Sequence, residues 1–265
     1  MAPFLDVAVQ GYDPQNALSL GLASELSYKG AVAIQNQTAQ WGFPQCQFFQ
    51  NKQSDKEAFI AVDDQAVMVV FRGTNIDQIK DWLSDASFFM EAGPWGEAHY
   101  GFQYALSSVW SGMKAFLAPF LDSGRKLFVA GHSLGGAMAV LAAADLLKEG
   151  RAIHHLATFG QPKVGDSVFV KELDKRAKPY YFRFVNHNDI VPRILPSVIF
   201  DYQHAGQRFY FDGNGKLHRK QLSCIEELWD RIAYKWLPWL VPYEDFGDHA
   251  MTEYIKNLEQ VQTKV

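Results

Sequence analysis

Several things are scarce in this chain of 265 residues. It has only two cysteines, Cys46 and Cys224, so no disulfide framework can carry the fold, and free, partly buried thiols are the expected state of both. No block of one charge occurs. The 25 Lys and Arg stand against 29 Asp and Glu, a net charge of −4, and no basic run would follow a phosphate backbone. Nucleic acid is therefore not an expected partner. No internal period of roughly 20–50 residues repeats and no Pro/Gly/Ser linker divides the chain, which leads us to expect one domain over residues 1–265.

Long apolar runs are also lacking. Residues 127–147 come closest, but His132, Ser133, Asp145 and a glycine pair interrupt them, so we expect a strand and a helix there and no transmembrane segment. The start, Met1-Ala-Pro-Phe-Leu-Asp6, has no cationic region and no secretory signal, a pattern compatible with a mature secreted form or a cytoplasmic one. His99, His187 and the pair His154-His155 show no ligand spacing with Cys, Asp or Glu. Neither a metal nor a cofactor is expected.

What is present is ample core material, 48% hydrophobic residues with 14% aromatics. Asp13-Pro14 reads as an N-cap with proline at the first helical position, and Leu18, Leu22 and Leu26 form a core-facing ridge before Gly30. A Gln/Asn-rich loop containing Gly42 and Pro44 leads to strands over 47–49, 58–62 and 66–71. The last has no polar alternation and should be buried on both faces. Residues 75–96 read as a short amphipathic helix, with Ile76, Ile79, Trp82 and Leu83 on one face, followed by an aromatic, Gly- and Pro-containing loop. Helical period returns over 101–121, and strands follow at 156–159, 180–185 and 207–211, the last pairing across the turn 212–215. Residues 225–246, with Trp229, Trp236 and Trp239, read as a small cap or a late helix. Such alternation implies an α/β fold, a mostly parallel sheet with helices on both faces.

The chemistry concentrates at Lys126-Leu-Phe-Val-Ala-Gly-His-Ser-Leu-Gly-Gly136. A strand-like run enters Gly131-His-Ser-Leu-Gly135 and leaves as an Ala-rich helix. A G-x-S-x-G at a strand-to-helix turn is the nucleophile elbow of the α/β-hydrolase fold, and it makes Ser133 the candidate nucleophile. A serine hydroxyl needs an imidazole to take its proton and a carboxylate to hold that imidazole. In this fold the partners follow in the order Ser, Asp or Glu, His. Asp189, four residues past the strand ending at Val185, is the leading carboxylate, ahead of Asp166, Asp201 and Asp212. Of eight histidines, His204, His218 and His249 respect the order, and His249 stands in a glycine-containing loop before the last helix, 250–258. Arg72-Gly73-Thr74, straight after a buried strand, lies where α/β sheets place ligand loops.

Together Phe71-Arg-Gly-Thr74, His99-Tyr-Gly-Phe102, Gly131-His-Ser-Leu-Gly-Gly136, Phe159-Gly-Gln-Pro-Lys-Val-Gly165, Asn188-Asp-Ile-Val-Pro192 and Asp248-His249 resemble the class 3 lipases, over about residues 13–257. The resemblance implies Ser133, Asp189 and His249 as a catalytic triad. It also implies an oxyanion hole from the Leu134 N–H and from the N–H and hydroxyl of Thr74, and a lid within 75–98 that includes Ile76, Ile79, Trp82 and Leu83. It further implies an ester substrate, acylglycerols first, and transient binding to a lipid–water interface. Phospholipase A1 and feruloyl esterase chemistry stay open at this point, as does a catalytically silent lipid-binding module. His132, inside the elbow, reads as a packing residue beneath the nucleophile.

Overall fold

The computed structural model describes residues 5–74, 89–195, 200–219 and 247–263. Ile76, Ile79, Trp82, Leu83, Cys224, Trp229, Trp236 and Trp239 lie outside the described residues. The main sheet is built from β1 (Gln45–Asn51), β2 (Lys56–Val62), β3 (Ala66–Phe71), β6 (Lys126–His132), β7 (His155–Phe159), β8 (Tyr181–Asn186), β9 (Gln207–Phe211) and β10 (Leu217–His218), in that spatial order. The five strands from β3 to β9 in that order run parallel, and antiparallel pairs close both ends. β3, β6, β7 and β8 are almost wholly apolar or buried along their length, as parallel strands covered on both faces must be.

Two cores result. On one face, α3 (Tyr100–Leu121), α4 (Leu134–Lys148) and α5 (Ser167–Ala177) pack over residues such as Val69, Phe71, Val129 and Leu156. On the other, α1 (Pro14–Leu26) and α6 (Met251–Gln262) cover Met68, Val70, Phe128, Phe182 and Phe184. α4 is alanine-rich and buried nearly all round, so its backbone can lie close to the sheet. Among the described residues no helix is long and apolar enough to cross a membrane.

Three sequence expectations need correction. The Gln/Asn-rich stretch expected as a loop forms α2 (Ala31–Gln40), because Ile34 and Thr38, one turn apart, bury against the chain while the polar residues face outward. α1 is the core-facing helix expected, but its buried face is wider than the Leu18, Leu22 and Leu26 ridge. Asn16, Ser19 and Ser24 are as buried as Leu18, since its C-terminal partner α6 covers what the sheet does not. The polar groups are satisfied locally: Ser24 Oγ donates to the Leu20 carbonyl at 2.8 Å, and Asn16 exchanges hydrogen bonds with the backbone of Asp6. The Gly- and Pro-containing segment expected as a loop is instead a small antiparallel hairpin of β4 (Met90–Ala92) and β5 (Glu97–His99). It turns on Gly96 at φ +56°, and a Cβ there would lie 2.4 Å from Asp166 Oδ1.

Other expectations meet the structure closely. Asp13 caps α1 by accepting the Asn16 N–H at 2.7 Å, with Pro14 at the first helical position. The 66–71 strand and the hairpin across 212–215 fall where the sequence places them. Cys46 is a free thiol, partly exposed.

Candidate active site

Parallel register brings the carboxyl ends of the central strands to one edge. Phe71 pairs with Gly131, and His132 with Phe159, so the segments starting at Arg72, Ser133, Gly160 and His187 emerge side by side. The turn between β6 and α4 is a single residue, Ser133, at φ 57° and ψ −128°. That conformation is costly for a non-glycine residue, on the order of 1–3 kcal/mol, and persists only where the surroundings dictate it.

The surroundings here are glycines in backbone contact. A Cβ on Gly131 would sit 2.2 Å from the Gly135 carbonyl oxygen, and a Cβ on Gly135 2.2 Å from the Phe71 carbonyl oxygen. The end of β3 therefore presses directly on the first turn of α4. Gly73 completes the contact: its Cβ would lie 3.1 Å from Ser133 Cβ. Thr74 is the next residue after Gly73, and Leu134 is the first helical residue, whose N–H has no partner within its own helix.

On the facing side, His249 and Asp189 are completely buried. His249 Nδ1 lies 2.9 Å from both Asp189 oxygens. Asp189 also accepts the Val191 N–H at 2.9 Å and the Tyr254 hydroxyl at 2.6 Å. Burial, followed by the neighbouring Asp189, keeps the Tyr254 phenol protonated far above its ordinary range, so it is a donor. With Nδ1–H directed to the carboxylate, Nε2 of the neutral ring holds the lone pair, and among the described residues Nε2 is buried with no hydrogen-bond partner. A base in this tautomer can accept a proton from a hydroxyl at the elbow.

The base loop is held by residues far apart in sequence. Asp248 Oδ2 accepts from the Asn188 backbone at 3.0 Å and pairs with His187 Nδ1 at 3.1 Å, and the Asp248 carbonyl accepts from Asn186 Nδ2 at 3.0 Å. Gly160, at φ +56°, leaves the space the pair occupies; its Cβ would meet Asp189 Oδ2 at 2.6 Å and His249 Nδ1 at 2.8 Å. Below the elbow, His132 is buried, with Nδ1 2.7 Å from Tyr28 Oη and Nε2 2.7 Å from the His249 carbonyl oxygen. Burial first, and then His249, hold its basicity far below the usual imidazole range, so it is neutral.

The structure therefore brings Ser133, Asp189, His249, Thr74 and Leu134 to one sheet edge. It leaves the alternatives elsewhere: His204 bonds the Pro192 carbonyl, and His218 pairs with Asp212. Asp166 caps α5, and Asp201 binds Ser167. Sequence reasoning missed Tyr254, Tyr28 and Gly160. Gly160 carried a signal, a glycine directly after a buried strand, whereas nothing in the local pattern marks either tyrosine.

Comparison with known proteins adds to this geometry. Residues 68–199 match the family described as lipase (class 3). The chain is similar to a lipase of Rhizomucor miehei, 34% identical over 60% of this chain and 46% of that protein. It is also similar to the secreted mono- and diacylglycerol lipase 1 of Fusarium solani, 31% identical over 66% of this chain and 53% of that protein. The chain thus spans about half the length of these curated relatives. Among solved structures, a triacylglycerol lipase described as having a serine protease triad for its catalytic centre superposes with a TM-score of 0.69 at 25% identity, covering 88% of this chain and 92% of that one.

Proposed function

This chain belongs to the class 3 lipase family and has the α/β-hydrolase fold, and we propose that it is a serine carboxylester hydrolase acting on acylglycerols as a single catalytic domain. The observation that carries the reading is the buried His249–Asp189 pair, whose Nε2 has no partner among the described residues, on the same sheet edge as a serine held at positive φ.

In this reading Ser133 Oγ attacks the ester carbonyl while His249 Nε2 takes its proton, and Asp189 holds the imidazole in the required tautomer. The backbone N–H of Leu134 and the N–H and hydroxyl of Thr74 receive the developing oxyanion, each donor worth on the order of 3 kcal/mol to the transition state. His249 then returns its proton to the leaving alcohol. Water, giving a proton to the same nitrogen, attacks the acyl-serine, and His249 passes that proton to Ser133 Oγ as the acyl–oxygen bond breaks and the carboxylic acid leaves. His249 ends each half-reaction neutral, and the full cycle restores the Ser133 hydroxyl.

We also propose a lid within residues 75–98 whose Ile76, Ile79, Trp82 and Leu83 face meets a lipid–water interface. The support is the apolar periodicity of that stretch and, at its described end, Phe89, 73% exposed. The names of the relatives favour acylglycerols over other esters.

The test is a comparison of emulsified tributyrin, phosphatidylcholine and methyl ferulate, with wild type and Ser133→Ala. Tributyrin hydrolysis that disappears in the variant is the expected result. Preference for phosphatidylcholine or ferulate would move the substrate assignment, and wild-type rates in Ser133→Ala would overturn the nucleophile.

A further inference from the structure

We infer that Tyr28 is a positioning residue that ties the loop carrying Thr74 to the backbone of His249, with His132 as the connector. The inference rests on the functional reading above and concerns how that site keeps its shape.

Tyr28 belongs to the turn that ends α1, and its N–H bonds the Glu25 carbonyl at 3.1 Å. Its phenol oxygen lies 2.7 Å from His132 Nδ1. The same oxygen packs against Gly73, where a Cβ would come within 2.3 Å of it, and the guanidinium of the adjacent Arg72 lies 5.7 Å from the centre of the Tyr28 ring. His132 Nε2 reaches the His249 carbonyl oxygen at 2.7 Å.

Proton positions follow from the chemistry of the groups. The His249 carbonyl can only accept, so His132 carries its hydrogen on Nε2. The imidazole is neutral, so Nδ1 is an acceptor and Tyr28 must donate to it. The phenol in turn is held protonated by its burial. The dipoles run one way, from Tyr28 through His132 to the His249 carbonyl, and each bond polarises the next.

The ends of this chain are the two parts of the site with no covalent nearness. Gly73 immediately precedes Thr74, a proposed oxyanion donor, and His249 is the proposed base. The elbow separates them, and the chain passes beneath it. A packing role alone would need the ring of Tyr28 and not its hydroxyl, which is the distinction a conservative substitution can draw.

Tyr28→Phe keeps the ring and removes the hydroxyl. Active sites are counted first by stoichiometric labelling with a p-nitrophenyl alkylphosphonate, and turnover of p-nitrophenyl butyrate is expressed per labelled site. The expected result is an unchanged labelled fraction, a KM within about twofold of wild type and a kcat about tenfold lower, the loss that follows when a buried acceptor is left unpaired. In a His132→Leu background the same substitution should add almost nothing, because the connector is already gone. Tyr28→Phe is isosteric and stays decisive if His132→Leu folds poorly. An unchanged kcat per labelled site, or a loss that adds fully to that of His132→Leu, would overturn the inference while leaving the functional reading intact. No labelling of the wild-type enzyme would overturn the functional reading, and this inference with it.

Discussion

The two halves of the site are built by different physics. The nucleophile half is one contiguous segment, β6 through the start of α4, against the end of β3. Its shape comes from backbone touching backbone at Gly131, Gly135 and Gly73, where there is no room for a single methyl. The base half gathers residues 186–189, 247–249 and 254 from separate loops and a helix. Its shape comes from side-chain hydrogen bonds made by Asp248, Tyr254 and Asn257. The first half should therefore be intolerant of volume, and the second intolerant of a lost donor or acceptor.

The largest effect is expected at the nucleophile itself. Ser133→Ala should lower kcat on a p-nitrophenyl ester by about 10⁶ with the fold intact, measured by initial rates and by an unchanged thermal midpoint. Next, on the base side, Asp189→Asn should cost about 10⁴ in kcat, because an amide can favour the wrong imidazole tautomer while filling the same space. Gly135→Ala should act through the fold: forcing a Cβ against the Phe71 carbonyl should cost about 3 kcal/mol in denaturant unfolding. If Gly135→Ala were as stable as wild type, the claim that backbone contact shapes the elbow would be wrong. Tyr254→Phe should leave the elbow untouched and reduce kcat about tenfold through a looser Asp189. An equal loss of stability in Gly135→Ala and Tyr254→Phe would erase the distinction between the halves.

This contrast also explains what could be read from the sequence. The elbow was legible because its constraint is local: five residues suffice to specify a turn that requires glycine on both sides of a serine. Asp189 and His249 were legible through order along the chain and position after a strand or before a helix. Tyr254 and Tyr28 were not, since each meets its partner across a separation of 65 or 104 residues and neither breaks a local pattern. α2 was misread for a related reason. Its glutamines and asparagines suit a loop by composition, and only tertiary contact reveals that Ile34 and Thr38 need one buried face.

The smallest expected effect lies away from both halves. His155 is buried in β7, with Nε2 2.7 Å from the Gly11 carbonyl oxygen, and burial followed by the adjacent His154 pushes its pKa down to about 4. The folded state thus binds this proton less readily than the unfolded chain does. Its contribution to stability is present above the ordinary histidine pKa and is lost as pH falls from about 6.5 toward 4. His155→Phe should flatten the decline of the unfolding midpoint over that window, read by thermal unfolding at a series of pH values.

The central claim is that Ser133 forms the acyl-enzyme. The direct measurement is acid quenching of the wild-type enzyme during turnover of p-nitrophenyl butyrate, followed by mass spectrometry of the digested protein. A butyryl group is expected on the peptide that contains Ser133 and on no other. A butyryl group on another residue, or ester turnover with no acylated peptide at any quench time, would contradict it.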